Sequence, residues 1–257
     1  MKTDRREFLQ QFAATAAMTS ALPFAFPAKA AASSKVKAIA FDAFPIFDPR
    51  PIAEVAERLF PGRGAQLGNA WRTRQFEYQW LRVLSGHYAD FWQTTEEALV
   101  FAARALRLEL TADKRAQLMQ AYLGLGAWPD VLPTLQTLRQ SGLRLALLSN
   151  WTVSMLDTGV RNAGLEGMFE HVLSTDRIAS HKPDPRAYQM GLDAFALERE
   201  QVLFAAFAGW DVAGAKWFGY PTFWVNRLDF PTEELGVVAD ATGRNLADLA
   251  AFVRNAA

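Results

Sequence analysis

The apolar run Val36-Lys37-Ala38-Ile39-Ala40-Phe41 ends in a carboxylate, Asp42. A short run of this kind reads as a buried strand. A carboxylate at the carboxyl end of a central strand lies in the crevice where open α/β sheets bind ligands. The residues that follow fix the architecture. Between residues 49 and 127 the pattern gives four helical stretches and no strand. Residues 52–60 form a short helix ended by Pro61-Gly62. Residues 66–84 carry Leu67, Trp71, Phe76, Trp80 and Leu84 at helical spacing. Residues 90–106 are amphipathic, and Thr111 caps a fourth helix running to Tyr122.

Strands and helices then alternate. Helices are expected at residues 130–141, 152–163, 184–195, 211–218 and 246–253, with strands at 143–148, 171–173, 201–207 and 222–225. Such alternation predicts a Rossmann-like α/β core, a parallel sheet with helices on both faces. The first strand precedes the helical stretch. Residues 49–127 are therefore expected as a cap inserted into a core made of residues 36–48 and 128–257.

Composition narrows the function classes. The chain has 257 residues, is 51% hydrophobic and has zero formal net charge, so it carries no electrostatic footprint for nucleic acid. It has no cysteine, which excludes thiol catalysis, thiolate metal sites and disulfides. Eight Trp and 19 Phe provide for an aromatic-lined pocket or for a rich core. Beyond the first thirty residues nothing reaches the length of a membrane span.

Those thirty residues read separately. Asp4-Arg5-Arg6-Glu7-Phe8-Leu9-Gln10 precedes a modestly apolar stretch and the small-residue site Ala28-Lys29-Ala30. This resembles a twin-arginine export signal at residues 1–30, and it implies a periplasmic protein delivered by that machinery, with no stable membrane anchor. The segment holds four basic and two acidic residues, so its removal leaves a net charge of −2.

Polar residues recur at the expected strand ends. Asp42 follows the first strand, Ser149-Asn150 the second, and Asp211 the strand at residues 201–207. His181-Lys182-Pro183-Asp184 lies between them. In a parallel sheet these ends share one edge and can converge. With the cap segments Trp71-Arg72, Phe76-Glu77-Tyr78-Gln79-Trp80-Leu81-Arg82 and Tyr88-Ala89-Asp90-Phe91-Trp92, the pattern resembles the haloacid dehalogenase superfamily, and specifically its 2-haloacid dehalogenase branch.

The resemblance implies hydrolytic dehalogenation of short-chain (S)-2-haloacids to (R)-2-hydroxyacids through an ester on Asp42. Lys182 would hold Asp42 ionised, and Arg72 would receive the halide. Ser149 and nearby amides would bind the substrate carboxylate, and Asn150 would orient this edge. Tyr188 would lie near the carboxylate among the substrate-binding residues. Phe44, Phe76, Phe91 and Trp210 would form a dry substrate wall. Asp211 would fix Lys182 or help position water. Relatives imply a homodimer.

Phosphatases of this fold place a second Asp two residues after the nucleophile, near magnesium. Phe44 stands there, and an apolar ring cannot protonate a leaving alkoxide. No metal and no cofactor is expected, since a halide leaves without a proton. The chain also departs from the branch. Pro45 and Ile46 replace a Gly-Thr pair, and Ala206, Phe207 and Ala208 replace serines and an asparagine. These departures leave two further readings open: an altered, phosphatase-like hydrolase of the same fold, and a non-catalytic exported binding protein.

Overall fold

The computed structural model describes residues 36–255. Residues 1–30, expected as an export signal, lie outside them. The first strand, β1 (Ala38–Phe41), is fully buried. Four helices follow: α1 (Arg50–Leu59), α2 (Gly64–Ser85), α3 (Phe91–Ala105) and α4 (Ala112–Leu123). The core resumes with α5 (Val131–Gln140), β2 (Arg144–Ser149), α6 (Val153–Asn162) and β3 (His171–Ser174). Next come α7 (Pro185–Phe195), β4 (Val202–Ala206), α8 (Gly209–Phe218), β5 (Thr222–Val225), β6 (Ala241–Gly243) and α9 (Leu246–Asn255).

The strands pair in parallel in the order β3-β2-β1-β4-β5-β6. Alternation along each strand sends side chains to two cores. Ile39, Phe41, Leu145, Leu147 and Leu203 face one side, with α5, α6, α9 and the cap. Ala38, Ala40, Leu148, Val202 and Phe204 face the other, with α7 and α8. Both faces are thus covered, which is why the strands read as apolar runs. The order reverses at β1, so the crevice between the ends of β1 and β4 is the topological switch point.

The cap leaves and rejoins the core at one place. Phe47 and Ala127 form an antiparallel bridge. Asp48 N–H donates to the Gly126 carbonyl at 2.9 Å, and Trp128 N–H to the Ile46 carbonyl at 3.0 Å. Asp90, Thr111 and Thr152 cap their helices through side-chain oxygens.

Two expectations need correction. Strand β6 lies at residues read as connection, because its three residues are half-buried or exposed and leave no apolar run. Helix α8 begins at Gly209, so Asp211 sits inside its first turn. Leu84, in the last turn of α2, is 85% exposed.

Candidate active site

The strand ends place an ion triad at the switch point. Lys182 Nζ donates to Asp42 Oδ1 at 2.8 Å and to Asp211 Oδ2 at 2.5 Å. Asp42 Oδ2 accepts the Phe44 N–H at 3.3 Å. Tyr188 O–H donates to Asp211 Oδ1 at 2.7 Å. The side chains of Lys182 and Asp211 are each 1% exposed and that of Asp42 is 13% exposed, so Asp42 is the open member.

Burial by itself would lower the Lys182 pKa, but the two carboxylates outweigh it and hold the ammonium above its ordinary value. Burial raises the Asp211 pKa to about 6; Asp42 adds to the rise, while Lys182 and the Tyr188 hydroxyl oppose it. The triad is therefore a buried cation shared by two acids, with the reachable acid at the end of β1.

The neighbouring loop fixes the lysine. Asn150 Oδ1 accepts the Lys182 backbone N–H at 2.8 Å and the Thr175 hydroxyl at 3.4 Å. Asn150 Nδ2 donates to Gln79 Oε1 on α2 at 3.0 Å, which ties the cap to the end of β2. Ser149 Oγ accepts the Trp151 N–H at 3.2 Å, which leaves its own proton available to donate. A second tie lies alongside. Tyr88 O–H donates to Asp176 Oδ1 at 2.7 Å, and the buried His181 ring donates through Nε2 to the Ala89 carbonyl at 3.0 Å.

Arg72, on α2, faces a cavity of about 300 Å³ lined also by Phe44, Phe76, Tyr122, Phe207 and Phe230. Its guanidinium carbon lies 5.6 to 6.0 Å from the rings of Phe76, Phe207 and Phe230. No carboxylate pairs with it among the described residues. Burial pulls its pKa down, with Tyr122 and Asp42 partly opposing. A half-buried cation without a close counter-ion, beside an aromatic cavity, suits a small anion.

The structure brings together Asp42, Lys182, Asp211, Ser149 and Asn150 at one edge, with Arg72, Phe44 and Phe76 lining the cavity beside them. Three expected residues take other places. Tyr188 is fully buried with its hydroxyl on Asp211, so it orients that acid and does not bind substrate from the cavity. Phe91, the first residue of α3, turns inward against Tyr122 and Trp151 and lies behind the cavity wall. Trp210 also stands outside the lining, with its ring packed against Phe76 at 5.1 Å and Trp80 at 5.7 Å.

Each departure now has a physical consequence. The Phe207 ring fills space beside Phe44 at 5.6 Å between ring centres. Ala208 stands at the N-cap of α8 with no side-chain cap. Ile46 is wholly buried, and the Pro45 carbonyl accepts from Arg227 at 2.8 Å. The residues do not fit a magnesium centre of the phosphatase kind. The ammonium of Lys182 sits between the two carboxylates, and Phe44 turns an aromatic ring toward Trp151 and Phe207.

Gln79, Trp71, Tyr122 and Phe230 were not read as site residues. For Gln79 a signal existed: Gln75 and Gln79 continue the Leu67–Trp71 row at four-residue spacing, and glutamines on an apolar face need buried partners.

A family model described as haloacid dehalogenase-like hydrolase matches residues 10–219. An (S)-2-haloacid dehalogenase of Pseudomonas sp. strain YL is 41% identical over 206 residues, covering 80% of this chain and 89% of the relative. The solved L-2-haloacid dehalogenase RSc1362 is 42% identical with a TM-score of 0.84, covering 86% of this chain and 100% of that one. The L-2-haloacid dehalogenase of Xanthobacter autotrophicus, solved with chloropropionic acid covalently bound, is 35% identical with a TM-score of 0.79, over 86% of this chain and 100% of that one. With its carboxylate-bearing strand end, shared lysine and cap-borne arginine, this chain belongs to the haloacid dehalogenase superfamily, in its 2-haloacid dehalogenase branch.

Proposed function

We propose that this protein hydrolyses short-chain (S)-2-haloacids to (R)-2-hydroxyacids and halide, through an ester on Asp42. One observation carries the reading. The reachable carboxylate of Asp42 is aimed by Lys182 Nζ and the Phe44 amide, and Arg72 lies close enough to feel its charge. An oxygen of Asp42 attacks C2, and the carbon–halogen electron pair leaves with the halide toward Arg72. Inversion follows from displacement on the opposite face. Water then adds to the ester carbonyl carbon of Asp42, and the acyl–oxygen bond breaks. Asp42 regains a carboxylate with one oxygen from water, and the alkoxide of the hydroxyacid takes one proton. The second proton passes to solvent, so one water enters and one hydrogen halide leaves. Asp211 keeps Lys182 in place.

Incubation with (S)-2-chloropropionate should release one chloride per hydroxyacid formed, and the Asp42→Asn variant should release none. Chloride release by that variant at the wild-type rate would remove the reading.

Export through Arg5-Arg6 to the periplasm is part of this proposal, supported by the Arg pair and the small-residue site at Ala28-Lys29-Ala30. Changing both arginines to lysine should leave precursor in the cytoplasm; unchanged delivery would refute it. A homodimer is supported by Leu81 and Leu84 of α2, 60% and 85% exposed. Light scattering at micromolar concentration decides between dimer and monomer.

A further inference from the structure

Helix α2 turns Arg72, Phe76 and Gln79 toward the sheet edge, at the i, i+4, i+7 spacing of one helical stripe. Arg72 and Phe76 line the cavity. Gln79 lies two turns from Arg72 and reaches the end of β2, where its Oε1 accepts from Asn150. It is 0% exposed. Its Nε2 carries two N–H donors, and neither has an acceptor among the described residues. An unpaired buried amide donor is costly, and native folds rarely keep one without a partner. The buried position of these donors points to an acceptor outside the polypeptide.

The neighbours define that acceptor. Ser149 has a hydroxyl proton free to donate. Asn150 is occupied by Lys182, Thr175 and Gln79 itself. The end of β2 therefore offers two side-chain donors, from Gln79 and Ser149, while the Asn150 amide oxygen is already taken. An ionised carboxylate is acceptor-only and takes several hydrogen bonds, so it complements this end. At the β4 end Ala206, Phe207 and Ala208 have no polar side-chain atoms.

We propose that Gln79 Nε2, together with Ser149 Oγ, binds the carboxylate of the 2-haloacid, while Arg72 on the same helical face takes the halogen end. The assignment rests on the dehalogenase reading and adds the residue that holds the acid end of the substrate. It also makes the cap part of substrate recognition at both ends of the molecule. A substrate carboxylate at Gln79 would strengthen the bridge that Asn150 makes between cap and core.

The test separates acid end from halide end. Propionate carries the carboxylate and no leaving group; chloride carries the reverse. Titration calorimetry of each probe is run on the wild type, Gln79→Glu and Gln79→Met. Gln79→Glu keeps an oxygen for Asn150 Nδ2 and loses the donors. Gln79→Met removes both. Propionate binding should weaken at least about tenfold in both variants, the range for a hydrogen bond to a charged group. Chloride binding should weaken less than propionate binding in both variants, most clearly in Gln79→Met, which adds no charge. Unchanged propionate binding in Gln79→Glu overturns the proposal. So does an equal loss of both probes, which would make Gln79 a general support of the site. If Gln79→Met fails to fold, Gln79→Glu decides alone. A wild type that binds propionate through Gln79 but releases no chloride from 2-chloropropionate would remove the dehalogenase reading and leave this carboxylate site standing.

Discussion

The two strand ends that flank the switch point differ in kind. At β1 and β2 the polar groups of Asp42, Asn150 and Lys182 are held by named partners, from Phe44 through Gln79 to Asp211. At β4 the chain turns into α8 through Ala206, Phe207 and Ala208, without a side-chain cap and with an aromatic ring in the cavity. The first end holds a carboxylate in place. The second presents three side chains without a polar atom before Trp210 and Asp211. The difference matters for the proposed route, in which ester formation would draw on the first end and ester hydrolysis on the second. The intermediate is therefore expected to accumulate, giving a halide burst followed by slow turnover.

The sharpest way to break this comparison is at the nucleophile. Asp42→Asn keeps the shape of the side chain and should lower halide release by at least about 10³-fold, as loss of a covalent nucleophile does. Circular dichroism should show the fold retained. Next in size is Lys182→Met, which leaves Asp42 and Asp211 facing each other without their shared cation. Removing one partner of a buried ion cluster costs about 3–5 kcal/mol, so urea unfolding should show a loss in that range. A loss below about 1 kcal/mol, the value for an exposed pair, would mean the triad is not the support described here.

The third prediction is a pH profile. The Asp211 pKa is raised from 3.8 to about 6, chiefly by burial. An acid whose pKa rises on folding favours the protonated native state. Its contribution to stability is thus complete below 3.8 and is lost as pH rises toward about 6. Activity runs the other way, because the ionised acid holds Lys182. Turnover should therefore fall on the acid side with a midpoint near 6, and Asp211→Asn should abolish that limb. A smaller effect sharpens the β4 end. Ala208→Asn supplies the missing cap of α8 and should add about 0.5–2 kcal/mol in thermal unfolding. The same side chain restores a donor, so it should speed the slow kinetic phase more than the burst. Smallest of all, exhaustive chelation should leave halide release unchanged, because Lys182 Nζ already bridges Asp42 and Asp211.

The sheet and cap were legible because their signals are local. Apolar runs mark strands buried on both faces, and the stripe of Trp71, Phe76 and Trp80 marks a packed helix. Convergence of Asp42, Asn150, Lys182 and Asp211 was legible from their order alone, since parallel strands put their carboxyl ends on one edge. What escaped depends on side-chain direction. Tyr188 reads as a substrate-binding tyrosine, yet it is buried with its hydroxyl committed to Asp211. Phe91 reads as wall, yet its ring points into the cap core. Strand β6 escaped because three half-exposed residues have no periodicity to detect; it exists only through pairing with β5.

The proposed route turns on an ester between Asp42 and the substrate. Single-turnover reaction of excess enzyme with (S)-2-chloropropionate in oxygen-18 water tests it most directly, followed by peptide mass spectrometry. The account predicts one oxygen-18 atom in the peptide that contains Asp42 and none in the first-turnover hydroxyacid. Label in that first product, with none on the protein, would mean that water attacks C2 directly and would contradict the account.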